Sequence, residues 1–149
     1  MARVDSVRMA SWQVWALSSA VFAGLTAIFA KVGVEGIPPD VATLVRTVIV
    51  LLLLSAVVIA TRQYQQLAQL SSRTYAFLTL SGFATGASWL CYFRALHSGD
   101  AARVAPLDKL SVVLVALFGV GFLGEKLSAV NWLGILMIAA GAWFVTLRA

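Results

Sequence analysis

The chain has 149 residues, of which 61% are hydrophobic and only 11% charged. A water-soluble domain of this size carries about 45–50% apolar and about 25% charged residues, so the composition excludes a soluble globular domain and points to an integral membrane protein. The formal charge of +5 comes from Lys and Arg placed one or two at a time along apolar sequence, with no basic block, which excludes nucleic acid as a partner.

The residue inventory narrows the chemistry further. One cysteine, Cys91, and one histidine, His97, allow neither an internal disulfide nor a Cys/His metal cluster. No nucleophile–base signature, glycine-rich phosphate loop or HExxH stands in the chain. The expectation is therefore a non-enzyme, without catalytic residues, metal or cofactor.

In chain order, residues 1–11 ("MARVDSVRMAS") read as a short charged tail. A single transmembrane domain then occupies 12–149. The first apolar stretch, Trp12–Val34, is too long for the apolar core of a signal peptide and reads as a retained first span. Further spans are predicted at 41–60, 74–96, 104–123 and 130–147. Each is near the roughly 20 residues that cross about 30 Å of hydrocarbon. The breaks are "EGIPPD" (Glu35–Asp40), the longer polar loop Thr61–Arg73, and the turns "HSGDA" and "GEKLSA". Lipid supplies no partner for open backbone groups, and no segment alternates with period two, so the fold class is all-α with five transmembrane helices.

An odd number of spans puts the termini on opposite faces. Arg3, Arg8, Arg62, Arg73 and Lys126 fall on the N-terminal face; Lys31, Arg46, Arg94, Arg103, Lys109 and Arg148 fall on the other. With the four cations inside apolar spans set aside, the balance puts the N-terminus in the cytoplasm. The near-equality of the full count leaves dual insertion open.

Those intramembrane charges share a level. Lys31, Arg46, Arg94, Asp108 and Lys109 all sit roughly 3–9 Å from the C-terminal face at 1.5 Å per residue. Snorkelling accounts for a cation alone. Asp108 is too short to snorkel far, and Lys31, Arg46 and Arg94 are its candidate partners. A structural ion pair and a charged vestibule on a transport path are both open readings. Trp89 and Tyr92, inside the third span near Arg94, are candidates for a deeper lining or for packing. Pro106 reads as an initiator in the first turn of the fourth helix; a helix starting nearer Ala101 would instead be broken by it.

Small residues mark close-approach faces: Gly82 and Gly86 as GxxxG in the third span, Gly134 and Gly141 seven apart in the fifth. Trp12, Trp15, Trp132 and Trp143 fall near span ends, as interfacial anchors do.

The last third, "APLDKLSVVLVALFGVGFLGEKLSAVNWLGILMIAAGAWFV", resembles the EamA domain of the drug/metabolite transporter superfamily. The carrying pattern is Pro106, the helix ending "GEKLS", then Trp132, Gly134 and a late Gly141. The stretch "AIFAKVGVEGIPPDVATLVRT", with Lys31 and Arg46, matches as well. The resemblance spans 12–147 and is to the short, single-domain bacterial and archaeal branch. It implies one half of a ten-helix inverted repeat, and so a homodimer, most naturally antiparallel. The related four-helix multidrug pumps place an acid in the middle of their first helix; here that stretch reads "SSAVFAGLTA", with none.

These readings combine into an inner-membrane carrier for a small metabolite, of amino acid or organic anion class, alternating access as a homodimer. The expected partners are the bilayer, a second copy and the solute, and the expected path residues are Lys31, Arg46, Arg94, Asp108, Lys109, Trp89 and Tyr92. The rivals are a non-transporting subunit that assembles with a partner, and efflux of the small-multidrug type.

Overall fold

The computed structural model describes residues 2–147, with side chains from residue 12 onward. Arg3, Arg8 and Arg148, which enter the charge count, are outside the described side chains. The described residues form helices α1 (Ala2–Gly33), α2 (Pro39–Ala60), α3 (Ser72–Ser98), α4 (Ala101–Asp108), α5 (Ser111–Leu123) and α6 (Ala129–Thr146), with a 3-10 helix at Gln63–Gln69 and no strand. Among the described residues, five spans are long and apolar enough to cross a bilayer: Trp12–Gly33, Pro39–Ala60, Ser72–Ser98, Ala101–Leu123 and Ala129–Thr146. The helical backbone of α1 runs ahead of Trp12 into the stretch expected as a tail.

The residues at the helix ends explain the boundaries. Pro39 opens α2 because its missing N–H is unneeded in a first turn, and Pro38 before it is held extended (φ −58°, ψ 134°). The Pro38 carbonyl then accepts from Val41 and Ala42. The polar loop after α2 is partly ordered: Arg62 takes the left-handed region (φ 57°), and the 3-10 turns follow. The Tyr75 hydroxyl donates to the Leu67 carbonyl at 2.8 Å, fixing that segment to α3. Ser71 caps α3, accepting from the Thr74 N–H at 3.1 Å. Gly124 closes α5 at φ 70°, where a side chain would be strained, and lets the Glu125 N–H return to the Gly119 carbonyl at 3.0 Å. Ser128 caps α6 through Asn131.

The fourth span departs from the expected single helix 104–123. Helix begins at Ala101, so Pro106 lies inside α4 rather than in its first turn. Its ring carries no N–H for the Ala102 carbonyl four residues back. The chain then tightens: Lys109 donates to Pro106, Leu110 to Leu107, Val112 to Lys109 and Val113 to Leu110, all one residue shorter than the α pattern. Lys109 and Leu110 stay right-handed (φ −70° and −59°), so the span continues as α5. Helix initiation by Pro106 is thus corrected to interruption, because the chain already gains two bonds to the Asp100 carbonyl, from Arg103 and Val104, before the proline is reached.

The chain divides into two compact units. In Gly33–Ser98, α2 packs along α3 and the 3-10 segment lies against α2. In the other unit, 1–32 with 99–149, α6 packs against both α4 and α5. The buried apolar residues are mostly small, among them Ala27, Ala30, Ala42, Ala116 and Ala142, while Leu51, Leu52, Leu53 and Leu54 of α2 are each more than half exposed. This inverts the pattern of a soluble core. Hydrocarbon solvates leucine as well as a protein interior does, and backbone approach through small residues supplies the packing.

Of the glycines marked by the sequence, Gly82, Gly86, Gly134 and Gly141 close no helix contact inside the described residues: a Cβ at each meets open space. The close approach is at Gly119, where an added Cβ would lie 2.6 Å from the Glu125 Oε2.

Candidate functional site at the α2–α3 pair

Asp40 stands in the first turn of α2, where a negative charge faces the positive end of the helix dipole. Antiparallel α3 brings Arg94 to it. Nε donates to Oδ1 at 3.0 Å and Nη2 to Oδ2 at 2.9 Å, a two-pronged pair that fixes direction as well as charge. Both side chains are more than half exposed. The pair therefore orients the helix ends more than it stabilises them.

Arg46 follows at about one and a half helical turns from Asp40. Its Cζ lies 4.1 Å from the centroid of the Trp89 ring and 5.7 Å from that of Phe93. Trp89 and Phe93 are four residues apart and so share a face of α3. A guanidinium over an indole gains about 0.5–2 kcal/mol, more as water is removed. The Phe93 ring is buried and meets Tyr92 edge-on at 6.5 Å. Beneath this layer, Thr43 is buried and returns its hydroxyl to the Pro39 carbonyl at 2.9 Å; Thr47 does the same to Thr43 at 2.7 Å.

The seven expected path residues thus fall into two groups. Arg46, Trp89, Tyr92 and Arg94 come together in the α2–α3 unit. Lys31, Asp108 and Lys109 belong to the other unit, where Lys31 donates to the Gly99 carbonyl at 3.0 Å and Lys109 meets the Asp108 carboxylate at 3.3 Å. The pairing expected for Asp108 is corrected accordingly: its ion pair is with the next residue in sequence, and Arg94 is engaged by Asp40. Asp40 and Phe93 were missed. The sequence signal for Asp40 was the preceding proline: Pro39 as the first helical residue moves Asp40 from the loop into α2. For Phe93 it was the four-residue step from Trp89.

This arrangement lies within a chain whose residues 10–147 match the model of the EamA-like transporter family. The chain belongs to the EamA-like transporter family. A Sinorhizobium sp. protein described as "Uncharacterized transporter in cobO 3'region" is 66% identical over 132 residues, which are 89% of this chain and 94% of that protein. No solved structure matches the chain. Both groups of charged residues and all five spans found among the described residues lie inside the EamA-like match.

Proposed function

We propose that this chain is a multi-pass carrier that moves a small metabolite, of amino acid or organic anion class, by alternating access as a homodimer in the inner membrane. Membership of a transporter family supports the carrier reading over an enzyme. The observation that carries the site is the Arg46 guanidinium, held on Trp89 within a span and beside the Asp40–Arg94 pair. α2 and α3 hold one carboxylate, Asp40, against Arg46 and Arg94 at that end, so the site keeps one net positive charge. A net cationic site inside a bilayer favours solutes bearing a negative group.

The homodimer reading rests on the five spans, an odd number, which pair by inversion into a ten-helix unit. The 132 matched residues make up 94% of the Sinorhizobium relative, so that protein is of five-helix rather than ten-helix size. The glycine faces at Gly82, Gly86, Gly134 and Gly141, open within the chain, are the surfaces on which a second copy would approach closely. In this reading the N-terminus of a copy inserted by its loop charges faces the cytoplasm, and the antiparallel arrangement requires copies inserted both ways.

Counterflow into proteoliposomes tests the reading. Vesicles loaded with unlabelled amino acids or organic acids should take up the matching labelled solute. No flux across a broad panel, together with co-purification of a fixed partner, would instead support a non-transporting subunit.

A further inference from the structure

We infer that the Arg46 edge is the point at which the transported solute is held, through a carboxylate, with Trp89 as the platform behind the cation; this rests on the carrier reading above. Three observations converge on it. The ring contact uses the charge of the guanidinium and leaves its N–H donors available, and among the described residues no carboxylate or carbonyl accepts from Arg46. The one acid of α2 and α3, Asp40, has both oxygens engaged by Arg94. The cation also rests nearer the deeper of the two rings: Trp89 lies one turn, roughly 6 Å, further from the end of α3 than Phe93, and the Arg46 Cζ is 4.1 Å from the Trp89 centroid against 5.7 Å from that of Phe93.

A planar donor edge matches a group with two acceptor oxygens in one plane, which is a carboxylate. Lysine would supply the charge without the fork. The role of Asp40 follows: by occupying Arg94 it keeps one guanidinium structural and leaves the other for the solute.

Acetate, small enough for any such site, is the probe, with acetamide as its neutral counterpart. The full chain, labelled with 15N-tryptophan in detergent, gives indole signals from Trp12, Trp15, Trp89, Trp132 and Trp143, and Trp89→Phe assigns the one that matters. Acetate should move the Trp89 signal saturably while acetamide leaves it in place. Arg46→Gln should abolish the response, and Arg46→Lys should weaken apparent affinity roughly tenfold by losing one of two charge-assisted bonds. The unmoved signals of the other tryptophans report that each variant is folded. An equal response to acetamide, a response that survives Arg46→Gln, or none at saturating acetate overturns the assignment. Flux is measured separately: counterflow without an acetate response removes this inference and leaves the carrier, and an acetate response without flux of any solute removes the carrier and reduces the Arg46 edge to a carboxylate-binding site without transport.

Discussion

Arg94 and Asp40 close a two-pronged ion pair, at 3.0 and 2.9 Å, between the last turns of one membrane helix and the first turn of another. The pair sets the register of α2 against α3, and that register places Arg46 over Trp89. Losing either partner should therefore act on the site more than on the fold. Asp40→Asn and Arg94→Gln are expected to lower counterflow while the thermal melt in detergent changes little. The exchanged pair, Asp40→Arg with Arg94→Asp, should recover part of the flux. A melt that falls in step with flux would make the pair structural alone.

Asp108 gives a sharper separation. Its ion pair is with adjacent Lys109, and both side chains are more than a third exposed, so neutralisation removes little folding energy. Asp108→Asn should leave expression and melting near wild type yet abolish counterflow. Equal loss of folded yield and flux would return Asp108 to a purely structural role.

The contact at Gly119 is testable through stability. Gly119→Ala puts a methyl 2.6 Å from the present position of the Glu125 Oε2, which must swing away. Crowding of this kind costs about 1–3 kcal/mol where neighbours are fixed, and the mobile end of a glutamate places the cost at the low end. Thermal unfolding should show that small loss in Gly119→Ala, and Glu125→Ala added to it should restore the melt. Gly119→Leu should not be rescued.

Topology is read by accessibility. With Cys91, the one exposed native thiol, changed to serine, a single cysteine at Lys126 in the α5–α6 connection should label from both sides of the membrane if copies insert both ways. Labelling from the cytoplasm alone removes the antiparallel dimer.

Much of the fold was legible because lipid leaves few choices. Apolar stretches of about 20 residues must be helices there, and the five spans follow from composition. Local chemistry set the finer points. Pro39 and Ser128 begin helices through terms visible in two or three residues. Pro106 was ambiguous because a proline suits a first turn and interrupts an interior one; which applies depends on where Asp100 starts the helix. The site was half legible. Arg46, Trp89 and Arg94 stand out as polar or aromatic residues within apolar spans. Their partners do not, since the choice between Asp40 and Asp108 for Arg94 is made by how α2 lies on α3. The same holds for the glycines: spacing marks a face, and only packing tells whether anything approaches it.

The interruption after Pro106 divides the labour of the fourth span. Upstream, the amide–carbonyl spine lacks one rung; downstream, beyond Val113, it is regular, and both segments are seated on α6. Bending strain concentrates where a rod is thinnest, and here that place is the two-residue turn at Lys109 and Leu110. Amides from Lys109 to Val113 should accordingly exchange with deuterium earlier than those from Val115 to Phe122.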